Sequence, residues 1–412
     1  MSPQYARAAV LALFTLFAAA APPSAGASDL ALVGANIYPS PDQALIQNGS
    51  ILIHDGKVQA VGPANSIRIP TGATQIDCKN LTVTAGFWNS HVHILPPPLL
   101  HAKQSSAADL NAELDKMFNR WGFTTVFDIA SVLDNTLALR GRIETGELRG
   151  PRILTTGEPI WTIEPVYIRE FLINNHIQIA DTNKPEQAVA LVRDHFERGA
   201  NGIKLFTGSF QGGDKVANLP LPIAQAAVQE AHKHGMPVFT HPQNSEGVEI
   251  AIQSGVDILA HTVPESPPWT PELCARLKRA HMALIPTLTL FDTLPEVPTQ
   301  QLERFITPLV DQLHAYSEAG GEILFGTDIG YINQYDTATE FRLMSRAGMN
   351  FRQILASLTT NPAHRFGASG RIEPGMPADL TVLTADPSGD ATAFSKVRYT
   401  IRNGKITYRA QK

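Results

Sequence analysis

The feature that most restricts the fold is an alternation repeated along the middle of the chain. From residue 81 to about residue 367, a short apolar run is followed by an amphipathic stretch, again and again. The first run, 81–87, is bounded by polar residues and reads as a buried strand. Further strands are expected at 124–127, 152–155, 202–206, 237–240, 257–260, 283–286 and 322–325. Helices are expected at 107–121, 135–145, 184–198, 223–234, 245–254, 271–280, 301–319 and 337–346. The helix at 184–198 carries clear punctuation: Pro185 opens it and Gly199 closes it. Eight strands alternating with helices predict an α/β fold, a (β/α)8 TIM barrel. An open doubly wound sheet is disfavoured, because no glycine-rich phosphate loop follows the first strand.

The alternation stops at both ends of the chain. Residues 30–33, 50–54 and 57–61 are β-rich, and Asp55-Gly56 is a hairpin signal. Residues 378–383, 397–402 and 405–408 are also β-rich, with Asn403-Gly404 as their turn. A small β-sandwich domain built from both chain ends, 28–84 with 372–412, is therefore expected around a barrel at 85–371.

Residues 1–27 stand apart from the fold. Arg7 gives a positive start, residues 8–21 are almost wholly apolar, and Ala25-Gly26-Ala27 fits a small-residue cleavage site. The apolar stretch is too short to span a bilayer. It reads as a cleavable signal peptide, with a mature start near Ser28 and export to a periplasm or the medium. No cysteine lies near the cleavage site, so no membrane anchor is expected. The net charge of -5 and the lack of a basic run exclude nucleic acid and lipid headgroups as partners. A small-molecule substrate is the expected partner, and homo-oligomerisation is left open. Cys78 and Cys274 are the only cysteines. They read as two free thiols, and their number excludes a structural zinc site built on cysteine.

Barrels of this kind place their chemistry at the C-terminal ends of the strands. The residues expected there are His91, His93, Lys204, His241, His261 and Asp328. On a strand, residues two apart point to the same face, so His91 and His93 project side by side. Neutral imidazole is a common ligand for zinc and similar cations. Buried lysine and aspartate are rare unless paired or metal-bound. Of 13 histidines, these four fall at expected strand ends. The others fall mostly in helices, loops or the outer β-regions, and read as surface or packing residues. The glycine-rich segment 207–213 suits a substrate loop, with Ser209 a candidate substrate contact. Tyr331 and Tyr335 follow Asp328 and are further candidates, while Thr287 and Trp161 are candidate pocket-lining residues.

Taken in order, five segments resemble the metal-dependent amidohydrolase superfamily, in its imidazolonepropionase and Xaa-Pro dipeptidase-like branch. They are Asn89-Ser90-His91-Val92-His93, Gly202-Ile203-Lys204-Leu205-Phe206, Val238-Phe239-Thr240-His241, Ile258-Leu259-Ala260-His261 and Phe325-Gly326-Thr327-Asp328-Ile329. The closing segment from Gly375 to Leu380 resembles that family's return to its small β-domain, so the likeness covers nearly the whole mature chain. The resemblance implies two divalent metal ions, with zinc the expected metal. His91, His93 and Asp328 would hold one, His241 and His261 the other, and a carboxylated Lys204 would bridge them. A hydroxide shared by the metals would attack, with Asp328 as general base and then general acid. One departure is Asn89, where many members carry aspartate. It weakens an outer anion but removes no ligand.

The activity so implied is hydrolysis of a C–N amide bond, non-peptide or dipeptide-type, in a small molecule. The same centre would also serve a lactone or organophosphate hydrolase. A third alternative is an inactive metal-binding scaffold, against which the intact ligand set argues. No arginine pair suited to a phosphate is evident, which disfavours a phosphorylated substrate.

Overall fold

The computed structural model describes residues 29–293 and 299–411. The signal peptide expected at 1–27 lies outside the described residues. Eight parallel strands run through the middle of the molecule in two arcs. Phe87–Val92, Phe123–Asp128 and Arg152–Thr155 form the first. Ile203–Phe206, Val238–His241, Ile258–Leu259, Ala283–Leu284 and Glu322–Ile323 form the second. Hydrogen bonds join the arcs at both seams. At one, Asn201 N donates to Thr155 O (2.7 Å) and Ile160 N to Lys204 O (2.8 Å). At the other, Ser90 N donates to Phe325 O (2.7 Å) and Asp328 N to His91 O (3.0 Å). The result is a TIM-barrel-like α/β fold.

Alternation along the strands separates two apolar layers. Phe127, Phe239, Ile258, Ala283 and Leu324 belong to one cluster, which includes Trp88. Their neighbours Val126, Val238, Leu259, Leu284 and Ile323 join the larger cluster beneath the helices. This is the pattern of a barrel with a packed interior and a helical jacket.

The strand expected at 81–87 is in fact two. Thr82–Ala85 pairs with Leu30–Ile37 and Leu380–Leu383 in the terminal sheet, and Phe87–Val92 is the barrel strand. The chain crosses between sheets at Gly86, where a Cβ would lie 2.2 Å from Thr124 Oγ1. Because both strands are buried, the apolar run continues through the crossing and hides it.

The chain ends pair as one continuous eight-stranded sheet, where a two-sheet sandwich is expected from the sequence. The cause is Leu30–Ile37. It pairs with Ile46–His54 on one edge, and on the other with Thr74–Asp77 and then Thr82–Ala85. Residues of both ends, such as Leu32, Ile51, Val382 and Ile401, share one apolar cluster. Both hairpin signals hold: φ is +48° and +74° at Asp55-Gly56, and +48° and +71° at Asn403-Gly404. Two successive positive φ values match the twist that antiparallel strands need.

Several elements fall where the sequence suggests loops. They include helices Val166–Asn174, Leu288–Asp292 and Phe351–Leu358, and a small hairpin of Gly208–Phe210 with Val216–Asn218. Cys78 and Cys274 are free and buried.

Candidate metal centre

The C-terminal ends of five barrel strands bring the six expected residues together. His91, His93 and Asp328 present ligand atoms that all lie within 4.8 Å of one another. His93 Nε2 is 2.7 Å from Asp328 Oδ1, at hydrogen-bond distance. His91 Nε2 is 3.0 Å from the same oxygen but off the line of a hydrogen bond. His261 joins this trio, its ring centroid 4.7 Å from that of His91, and His241 follows at 4.6 Å from His261. Lys204 is about 1% exposed, and its Nζ is 5.3 Å from the Phe206 ring. Phe206 in turn stacks on His241 at 4.9 Å.

The electrostatics suit metal ligands. Burial pushes His91 down to about 3 and His241 down to about 4, so both are neutral at physiological pH. Burial and the nearby imidazoles also hold His261 well below its ordinary value. Burial opposes ionisation of Asp328, but His91 and His93 keep its carboxyl well below the usual range. Burial pushes Lys204 down to about 7 against the pull of Asp328. Among the described residues no carboxylate lies within 4.0 Å of the Lys204 amine.

Hydrogen bonds fix which nitrogen each outer histidine presents. Thr287 Oγ1 donates to Pro286 O (2.8 Å), so it accepts from His261 Nδ1–H (2.7 Å). The lone pair of His261 is then on Nε2. Gln243 Nε2 donates to Glu265 Oε1 (2.9 Å), so its Oε1 accepts from His241 Nε2–H (3.0 Å). The lone pair of His241 is then on Nδ1. A metal-ligating histidine characteristically gives its other N–H to such a partner. Buried ring nitrogens of His91 and His93 are left without hydrogen bonds, as is the Lys204 amine without a counter-ion. A donor set of this kind, unsatisfied by protein, fits a cation.

A layer of residues, of which the sequence singled out only Asn89, supports the set. Asn89 accepts from His91 N (3.2 Å) and donates to Thr327 Oγ1 (2.8 Å), tying the first strand to the last. Ser131 Oγ accepts from Ile94 N (2.9 Å), just after His93, and itself donates to the buried Asp128. Asp128 also accepts from Thr136 and Thr155 hydroxyls at 2.8 and 2.9 Å. Glu340 accepts from the N–H groups of Leu288 (3.0 Å) and Thr289 (2.7 Å), fixing the chain just past Thr287.

The other candidates divide. Tyr331 stands beside the centre, its ring 6.4 Å from His93. Tyr167, not anticipated, lies 6.4 Å from His241. Ser209 is buried with an unpartnered hydroxyl; its neighbour Gly208 packs against Pro242, next to His241. Trp161 is fully buried behind Phe206 at 5.5 Å, so it packs the wall and does not line an open pocket. Tyr335 is buried in the main apolar cluster, donates to Glu113 (3.2 Å) and lies under Lys116. A cleft of about 490 Å³ at the opposite strand ends, lined by Trp88, Thr124, Arg152 and Asp379 among others, holds no comparable group.

A model of the amidohydrolase family matches residues 82–407. No curated protein matches the chain significantly. Among solved structures, a proposed prolidase from Bifidobacterium longum is 27% identical, with 93% of this chain and 95% of that one covered and a TM-score of 0.77. A Xaa-Pro dipeptidase with methionine bound in its active site is 23% identical, with 93% and 100% covered and a TM-score of 0.79. A molinate hydrolase is 19% identical, with 92% and 95% covered and a TM-score of 0.73.

Proposed function

The chain belongs to the amidohydrolase family, hydrolases of carbon–nitrogen bonds built around a divalent metal centre, and from that premise we propose that it hydrolyses an amide bond in a small molecule. The observation that carries this reading is the convergence of His91, His93, His241, His261 and Asp328 around an unpaired, buried Lys204. His91, His93 and Asp328 would hold one ion, and His241 through Nδ1 with His261 through Nε2 would hold a second. Nitrogen and oxygen donors of this type suit zinc. Such ions lower the pKa of bound water toward ~7 and polarise a carbonyl.

Lys204 would act as a carbamate. Its neutral amine attacks CO₂, forming an N–C bond and releasing one proton, and the product is an anion with two donor oxygens. Charge supports this reading. Imidazole ligates a metal in its neutral form, so the set offers only the single negative charge of Asp328 against two divalent ions. A second anion reduces the charge left uncompensated in a buried site, which is costly when unbalanced.

Asp328 carries the proton. Its carboxylate is ionised, so it accepts a proton from the attacking water and returns it to the departing nitrogen. The amide C–N bond breaks, the carbonyl carbon gains the water oxygen, and the amine leaves neutral. Export by the segment 1–27 belongs to the same reading, and suits a substrate met outside the cytoplasm.

The test is a panel of dipeptides, N-acyl amines and lactones offered to protein purified without chelator, alongside elemental analysis. About two ions per chain and cleavage of an amide are expected. Hydrolysis of lactones but no amide would overturn the substrate assignment. One ion or none after growth with zinc would overturn the two-ion centre.

A further inference from the structure

Two tyrosines from different loops of the barrel meet beside the centre. Tyr167 comes from the helix that follows the third strand, and Tyr331 from the loop after the eighth. Their ring centroids are 5.8 Å apart at 63°. Tyr331 stands 6.4 Å from His93, in one half of the ligand set, and Tyr167 stands 6.4 Å from His241, in the other. The pair thus stands beside both halves of the ligand set. Both rings are 39% exposed, two of only four exposed large apolar side chains among the described residues. Neither hydroxyl has a hydrogen-bond partner and no cation lies over either ring, again among the described residues.

The support of Tyr167 is unusual as well. Helix Val166–Asn174 carries Val166, Ile168, Phe171, Leu172 and Ile173, yet none of its residues is buried. It leans on the strand Gly208–Phe210, and Gln211 Nε2 donates to Glu164 O (3.0 Å) just before it. A helix whose apolar residues are only half-buried, with Ile173 exposed, gains less from packing on the barrel than one with a fully buried stripe. It leaves apolar surface at the entrance to a polar centre. On the other side, Tyr331 follows Gly330, whose φ of +98° is open to glycine.

We propose that Tyr167 and Tyr331 form a two-ring clamp that selects amides carrying an uncharged aromatic group beside the scissile bond. The proposal rests on the hydrolase reading above and deepens it. An aryl group entering beside the pair can pack against both rings, at the ~4.5–7 Å between centroids that offset and edge-to-face contacts take. The free hydroxyls remain available at its rim. A zwitterionic dipeptide has less to gain, because its terminal carboxylate finds no cation at the rings.

The experiment compares an N-phenylacetyl amine, the matching N-acetyl amine and an Ala-Pro dipeptide on metal-loaded protein. Each aromatic contact contributes enough for ~3- to 10-fold, so two contacts predict at least a ~10-fold higher kcat/KM for the aryl amide, expressed mainly in KM. The aryl-to-acetyl ratio should fall ~3- to 10-fold in Tyr167→Ala and in Tyr331→Ala, and persist in Tyr167→Phe, which keeps the ring. A ratio unchanged in both alanine variants, or a wild type that favours the acetyl amide or the dipeptide, overturns the clamp. If no amide is cleaved, the hydrolase reading fails separately. Binding then decides the clamp: N-benzylbenzamide should bind tighter than N-methylacetamide in calorimetry, and the difference should shrink in each alanine variant. Equal binding, or a difference undiminished by either substitution, overturns it.

Discussion

Thr287→Val isolates a single hydroxyl in the support of the centre. Thr287 is fully buried, accepts from His261 Nδ1–H at 2.7 Å and donates to Pro286 O at 2.8 Å. Valine keeps the volume and the β-branch, so the left-handed backbone, φ +48°, carries the same strain in both chains. What changes is that His261 Nδ1–H is left buried without an acceptor. Leaving such a donor unmade costs ~1–3 kcal/mol. The imidazole can avoid that cost by moving its proton to Nε2, which then offers no lone pair to an ion. Either route predicts a ~10- to 100-fold loss of metal affinity, the usual effect of removing an outer partner of a ligand histidine. The two magnitudes agree, since tenfold is about 1.4 kcal/mol. Competition against a zinc chelator measures the loss, with thermal melting as the control for folding. Thr287→Ser restores the hydroxyl and should restore most of the affinity. A folded Thr287→Val that binds zinc within about threefold of wild type would refute the hydrogen-bond argument and His261 as a ligand.

Asp328→Asn should keep its metal and lose ~10²–10⁴-fold in turnover, the range for a general base; near-normal turnover on a verified substrate would remove Asp328 as proton carrier. Asparagine is the informative choice, because it tolerates the +64° φ that alanine would strain. Lys204→Ala should lose metal first and activity with it, and a short carboxylic acid added with metal should return part of the rate. Full metal content and activity in that variant would make Lys204 a structural lysine. Glu340, fully buried, has its carboxyl pushed by burial from 4.5 up to about 7, despite three hydrogen bonds to it. The folded state then holds a proton that the unfolded state releases, so this group's contribution to stability falls as pH rises from about 4.5 to about 7, by about 3 kcal/mol. Urea midpoints at pH 5 and pH 8 should show that fall in wild type and a smaller one in Glu340→Gln; parallel pH dependence would mean Glu340 is ionised throughout.

The six residues of the centre were legible because their types are wrong for a core. Lysine, aspartate and histidine at the ends of apolar runs stand out against the alternation that places them. Their supports were not legible, for different reasons. Glu340 meets Leu288 and Thr289 across about 50 residues of sequence, and it does so through backbone N–H groups that every residue possesses. Thr287 and Gln243 act from left-handed backbone, which side-chain identity at those positions does not announce. Tyr167 was hidden because its short helix has apolar residues spread round it and no fully buried stripe to read. The crossing at Gly86 was masked by apolar residues on both sides. Only the glycine marks it, and one glycine in a strand pattern has several readings.

The positive φ values point to how the centre is held. Ala130, Gln243, Thr287 and Asp328 are non-glycine residues in left-handed backbone, and each lies just past a barrel strand at the end that bears the histidines. Strain of this type costs ~1–3 kcal/mol per residue and persists only when its surroundings over-determine it. Here they do. Ala130 N donates to Thr156 Oγ1 (3.0 Å), Gln243 is fixed between His241 and Glu265, Thr287 between His261 and Pro286, and Asp328 by its N–H to His91 O. A regular strand would alternate its side chains and carry every second one away from the axis. A left-handed residue breaks that alternation at the strand end and re-aims the next side chains. The helices and the β-sheet of the chain ends stabilise the frame, so the strain and the facing imidazole lone pairs can be carried locally. Substitutions in this supporting layer should therefore show first as weakened metal binding in a protein that is still folded.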